Sequence, residues 1–164
     1  MEPFDVRDVR TVIPFEKIIL EVIERLGVMV EGEALRLIET QEPVARGLWE
    51  PKKPSTMARK DYRGKWKLWV HTGRLRQLIT HKVQKEGQEY IVLVGIFDHE
   101  RAEKAAWLEF GTKVTVKSGT SMPYKREGMK ARPLFRIVCG TNGDVIEKFL
   151  ITELNKEIDK YLPR

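Results

Sequence analysis

The sequence predicts an α+β domain, an antiparallel sheet of about four strands packed by a long N-terminal helix and a C-terminal helix, with a long basic loop between them. Three observations carry this. Apolar residues recur every three or four positions from Phe15 to Ile38, as on one face of a helix. Two runs rich in β-branched residues flank Glu86-Gly87-Gln88, as in an antiparallel hairpin. Helical spacing returns in Val145, Ile146, Phe149, Leu150, Leu154, Ile158 and Tyr161. Helices on one face of an antiparallel sheet satisfy that order with a single core, and 164 residues suit a single domain spanning 1–164.

The first helix is expected over 15–40. Phe15, Ile18, Ile19, Val22, Ile23 and Leu26 lie on one stripe, continued by Val30, Ala34, Leu35 and Ile38; Pro14 fits its first turn and Glu16 its positive end. Gly27 and Gly32 mark places where it bends or divides. Residues 41–70 have another texture. Pro43, Gly47, Pro51, Pro54 and Gly64 punctuate them, and Lys52, Lys53, Arg59, Lys60, Arg63, Lys65 and Lys67 alternate with Trp49, Tyr62, Trp66 and Trp69. This reads as a long loop or extended basic, aromatic arm, with room for one or two short strands near either end.

Thr72 is placed to cap a short helix through Leu75, Leu78 and Ile79. Strands are expected over 81–85 and 89–97, the second well buried. A compact helix over 101–110 stops at Gly111 in a left-handed conformation. An excursion over 113–128 contains Val114 and Val116 leading to a Ser118-Gly119 turn. A further strand is expected over 131–138, entered through Pro133, before the C-terminal helix.

Composition narrows the function classes. Hydrophobic residues make up 41% and charged residues 33%, enough apolar content to exclude global disorder. The net charge of +6 favours acidic partners, whether nucleic acid or an acidic protein surface. The one cysteine, Cys139, excludes an intrachain disulfide and reads as a small core residue. The opening MEPFDVRDVR has no basic start followed by an apolar run, so no signal peptide is expected, and no stretch reads as a membrane span.

Motifs for catalysis fail one by one. His99-Glu100 begins like a zinc-protease helix, but residue 103 is Glu, so no metal site is expected. His71, His81 and His99 read as solvated or capping residues. No glycine-rich phosphate loop and no serine elbow occur, since Ser55, Ser118 and Ser121 lack flanking paired glycines. Glu109, an acid amid apolar residues, has a catalytic reading and a plainer one, a solvent-facing acid or one paired with a nearby base. No cofactor and no enzymatic activity are expected.

Two stretches resemble the signature of tailed-bacteriophage tail-completion, or head–tail joining, minor tail-component proteins. They are Ala106-Trp107-Leu108-Glu109-Phe110-Gly111-Thr112 and Met129-Lys130-Ala131-Arg132-Pro133-Leu134-Phe135-Arg136, with His71-Thr72-Gly73-Arg74-Leu75-Arg76 upstream. Residues 113–128 lengthen the usual connection between the first two, and Leu134-Phe135 stands where Phe-Leu is commoner. The resemblance implies a virion assembly protein at the neck, made in the bacterial cytoplasm, joining the head connector to the tail tube as a homo-oligomeric ring, with a tail-terminator role as its near alternative. It also implies that the motif residues set shape, with Arg74, Arg132 and Arg136 available to pair with Glu109. The arm keeps three readings: anchors for a protein partner, a surface for DNA as in a stand-alone nucleic-acid-binding module, and a solvated loop with Trp49 or Trp69 packed back on the core.

Overall fold

The computed structural model describes residues 13–58, 67–70, 73–112, 115–116, 125–126 and 128–162. In chain order these form helix α1 (Phe15–Thr40), single-turn helices α2 (Glu42–Ala45), α3 (Pro54–Met57) and α4 (Arg74–Gln77), strands β1 (Ile79–Glu86) and β2 (Glu89–Ile96), helix α5 (His99–Phe110), short strands β3 (Thr115–Val116) and β4 (Lys125–Arg126), and helices α6 (Phe135–Thr141) and α7 (Gly143–Ile158). The architecture is α+β, with a long N-terminal helix, a two-stranded antiparallel sheet and a C-terminal helix.

Helix α1 runs unbroken through Gly27 and Gly32, contrary to the expected bend or division. Its apolar stripe explains this. Ile18, Val22, Leu26, Val30, Ala34, Leu37 and Ile38 are all buried, so packing along the whole length offsets the helix weakness of two glycines. The helix ends where Gln41 turns into the left-handed region (φ 55°) and donates its N–H to the Leu37 carbonyl. The Gln41 side chain is itself buried. Its Oε1 accepts from the Leu68 N–H at 2.8 Å and its Nε2 donates to the Leu68 carbonyl at 3.3 Å, fastening the far end of the arm to the end of α1.

Strands β1 and β2 pair from Ile79↔Ile96 to Glu86↔Glu89 across a tight turn in which Gly87 takes φ 63°. Alternation assigns the faces. Ile79, His81, Val83 and Lys85 stand opposite Ile96, Val94, Val92 and Tyr90, and this face lies on α1: Lys85 and the Tyr90 hydroxyl both reach Glu16, and Ile79 and Ile96 join the core. The other face stays partly open. Leu93 and Phe97 keep 37% and 39% of their surface exposed, and the Lys82 ammonium lies 4.4 Å from the Phe97 ring centre. The second strand is therefore covered on one face, not buried on both.

The four-stranded sheet does not form among the described residues. Strands β3 and β4 pair only with each other, two residues apiece. The strand expected over 131–138 is instead the entry to helix α6. Leu134 and Val138, four residues apart, are the buried pair, which is helical spacing; the β-branched Ile137 and Val138 suggested a strand, but a buried carboxylate caps the first turn and decides the local structure. The same rotation puts Cys139 one position past Val138 and on the exposed side, correcting its expected place in the core.

Helix α7 lies along α1. Leu150 and Leu154 pack on Ile13, Ile18 and Val22, and Arg25 of α1 pairs with Glu153 and Glu157 of α7, both at 2.8 Å. Lys160, then Arg25, holds the Glu157 carboxyl below the ordinary carboxylate range. No helix in the described residues is long and apolar enough to cross a membrane.

His81 is neither solvated nor a cap. Its imidazole lies between two glutamates of α1, with Nδ1 2.7 Å from Glu31 and Nε2 3.2 Å from Glu24. Gly27 admits the ring: a Cβ there would fall 2.3 Å from its Cδ2. The hydrogen bond to Glu31, then that to Glu24, raises the imidazole's pKa despite partial burial. A raised folded-state pKa contributes stability that is fully present below the unfolded value, about 6.5, and is lost as pH rises through the folded value. In urea denaturation at a series of pH values, the advantage of the wild type over His81→Gln should therefore shrink as pH rises through that window. An advantage that does not change with pH would show that the clamp works through packing alone.

Candidate functional site

The two longer stretches that carry the resemblance, 106–112 and 129–136, come together where α5 ends. Asp98 starts that helix by accepting the Arg101 N–H at 2.9 Å, and the helix delivers Glu109 inward at 5% exposure. The Glu109 carboxylate then does for α6 what an N-cap side chain normally does from within its own helix. Oε2 accepts from the N–H groups of Leu134 (2.6 Å) and Phe135 (3.2 Å), and Oε1 from that of Arg136 (3.0 Å). Arg136 closes the ring of contacts, its Nη2 donating to the Glu109 carbonyl at 2.7 Å and its Nε to Oε1 at 3.4 Å. Of the three expected partners Arg136 alone pairs with Glu109. Arg132 donates its Nε to the Glu50 carbonyl at 3.0 Å, and Arg74 lies exposed in α4. Glu109 is thus buried and paired with a nearby base, as the second of its plainer readings has it, and does not face solvent.

Gly111 follows with φ 76° and ψ −179°, an extended mirror-image conformation reserved for glycine and different from the expected left-handed helical stop. The space is as restrictive as the dihedral, since a Cβ would sit 2.6 Å from the Met129 carbonyl oxygen and 2.9 Å from the Ala131 nitrogen. Close approach permits a short ladder: the Thr112 N–H donates to Met129 O and the Met129 N–H to Thr112 Oγ1, both at 2.8 Å, while the Arg132 N–H donates to Leu108 O at 2.7 Å. Pro133 leads into Leu134, the N-cap of α6, where a strand had been expected.

The two described indoles of the arm lock onto the same strip. Trp49 (1% exposed) donates to the Pro133 carbonyl at 2.7 Å, and Trp69 (4%) to the Arg132 carbonyl at 3.1 Å. Trp69 holds φ 62°, an uncommon conformation for a bulky residue, fixed here by that bond and by the edge of its ring against Phe135, centroids 6.0 Å apart. The packing-back reading of Trp49 and Trp69 therefore holds for both. Glu50 was not singled out by the sequence, yet its carboxylate receives Lys130 at 3.0 Å and its carbonyl receives Arg132. Its only signal was its place beside Trp49.

The other expected site residues are distributed as follows. Trp107 and Phe110 point outward, 46% and 68% exposed, with the Arg136 guanidinium 5.2 Å from the Phe110 ring centre. Gly73 is the N-cap of α4 at φ 79°, and Leu75 is half-buried behind it. Ala131 is half-buried beside Arg132. Lys52 donates to the Lys67 carbonyl at 2.8 Å, and Lys53 is exposed next to it. His99 is exposed at the start of α5. Arg59, Lys60, Tyr62, Arg63, Lys65, Trp66, His71 and Thr72 lie outside the described residues, as do the turn at Ser118-Gly119 and most of the 113–128 excursion.

Two substitutions test this junction. Glu109→Ala leaves the N–H groups of Leu134, Phe135 and Arg136 without their acceptor, while the Arg136 guanidinium keeps its bond to the residue 109 carbonyl, and it should cost about 3 kcal/mol in urea denaturation, with Glu109→Gln costing about half as much. A loss under about 0.5 kcal/mol would mean that water replaces the carboxylate. Gly111→Ala meets both a forbidden dihedral and backbone atoms that cannot move aside, so it should cost about 3 kcal/mol or prevent folding. Near-neutral behaviour there would contradict the close approach.

Set against known proteins, the chain matches no family model, no curated protein and no solved structure.

Proposed function

We propose that the chain is a structural assembly protein of a tailed bacteriophage that joins the head connector to the tail tube, acting as a homo-oligomeric ring at the virion neck. The observation that carries this reading is the division of labour within the motif. Glu109, Gly111, Thr112, Arg132 and Pro133 are engaged in holding one segment of the chain against another. Trp107 and Phe110, from the same motif, are left on the surface. A carboxylate whose two oxygens already accept three backbone N–H groups and an arginine is poorly placed to transfer protons. Exposed Trp and Phe beside an arginine are, by contrast, the residue types that anchor protein interfaces. The partly open face of the hairpin, with Leu93 and Phe97, adds apolar surface of the same kind. Ring formation belongs to the assembled state, so a monomer in dilute solution accords with this role.

The test is incorporation. The protein should be co-produced with a phage connector and tail-tube protein, and the particles examined by negative-stain electron microscopy and mass spectrometry. The wild type should appear in rings at the neck. Trp107→Asp and Phe110→Asp should lower incorporation by about tenfold while leaving the melting midpoint within about 4 °C of the wild type. Particles that complete normally without the chain would sink the proposal.

A further inference from the structure

Residues 50–56 of the arm and residues 128–132 face each other across a cleft of about 840 Å³. Its walls differ in character. Leu75 and Leu108, both part-exposed, supply an apolar floor, whereas Lys52, Lys53, Lys130 and Arg132 stand around it with Glu50 as the one acid among its described lining residues. Four cations against one carboxylate leave a marked positive excess in a concave space.

Arg132 is the informative member. Lys130 is matched by the Glu50 carboxylate at 3.0 Å. Arg132 is half-buried, and its side chain donates from Nε to a carbonyl, that of Glu50. No carboxylate among the described residues forms an ion pair with it. Burial depresses the basicity of this guanidinium, and the nearby Glu50 charge only partly counters that effect. A guanidinium desolvated to this degree and facing a cleft is completed by an anion from outside.

The chemistry of the walls selects among anions. Single-stranded nucleic acid would need exposed ring faces for stacking. Among the described lining residues the indole is Trp69, which is 4% exposed and offers no open face. A duplex backbone would leave the leucine floor uncovered. A peptide with an acidic side chain next to an apolar one satisfies both walls, and the volume suits a few side chains. We propose that this cleft is a docking site for an acidic, apolar-anchored segment of a partner protein, its carboxylate seated on Arg132 and its apolar side chain on the part-exposed Leu75 and Leu108. This rests on the assembly reading above and names the chemistry of one contact within it.

The test uses fluorescence anisotropy with the full chain and three labelled probes: a short peptide alternating Glu and Leu, its Gln/Leu counterpart, and a short DNA duplex. The Glu/Leu peptide should bind at least about tenfold more tightly than either of the others. Arg132→Met should weaken it by about tenfold or more. Since Arg132 also contacts the Glu50 carbonyl, the exposed double substitution Lys53→Glu with Lys130→Glu provides the second measurement. It should produce a comparable loss with an unchanged circular dichroism spectrum. Equal binding of the Gln/Leu peptide, preference for the duplex, or unaltered affinity in the folded double variant would each overturn the cleft assignment. Neck incorporation separates the two proposals: particles that contain the wild-type chain although the Glu/Leu peptide fails to bind reject the cleft alone, and peptide binding by a chain never found in particles rejects the assembly role alone.

Discussion

The carboxylate of Glu109 is the interaction on which the second half of the structure depends. A helix begins with N–H groups that its own turns cannot satisfy, and α6 has no side-chain cap of its own. A carboxylate from a different helix supplies the acceptors, so α6 can start only where α5 ends. That one requirement fixes the path of residues 129–134, brings Arg132 beside the arm, and sets the carbonyls of Arg132 and Pro133 where two indoles can reach them. Burying the charge is tolerable because it is fully hydrogen-bonded, with Arg136 closing the far side. Glycine at position 111 is the steric counterpart, since the returning strip passes closer than any side chain would allow.

How much of this could be read beforehand depended on whether the determining partner was near in sequence. Helix α1 was legible to its boundaries because its burial follows a 3.6-residue period over seven turns, and nothing distant alters that. The hairpin was legible because Gly87 and the alternation on either side are local. Helix α6 was not. Its sequence, Phe-Arg-Ile-Val-Cys, favours a strand by composition, and the decisive atoms belong to a residue 25 positions earlier. Reading it as a strand also displaced Cys139 and inflated the sheet. The motif around Glu109 and Pro133 could be recognised as a unit, but spacing alone did not reveal that the first acid caps the helix after the proline. His81 failed for the same reason: its two glutamates lie 50 and 57 residues away, and Gly27, which admits the ring, read as a weakness in the helix.

The arm shows how tertiary demand redistributes a segment that looks uniform in sequence. Basic and aromatic residues alternate through 41–70, which suggests one continuous surface. The fold divides it. Trp49, Leu68 and Trp69 are drawn into the core, where indole N–H groups find carbonyls, while Lys52 and Lys53 stay at the rim. Burial of the rings removes these two indoles from stacking, and the charge that remains is carried beside an apolar floor. A pattern that suits nucleic acid in one dimension thus becomes, for the residues described, a surface suited to a carboxylate next to a leucine or phenylalanine.

The two halves of the molecule meet their polar requirements by unlike means, and the difference bears on how the protein would respond to its surroundings. The α1–hairpin contact relies on exposed or half-exposed charges: Glu16 with Lys85, Glu31 and Glu24 with His81. Such pairs weaken with salt and, for the histidine, with rising pH. The junction at Glu109 is buried and formed chiefly with backbone N–H groups. Added salt therefore acts first on the exposed pairs between α1 and the hairpin. The seam between α5 and α6 sets Trp107 and Phe110 on one side and Arg132 on the other, and it does so through bonds that lie out of the solvent.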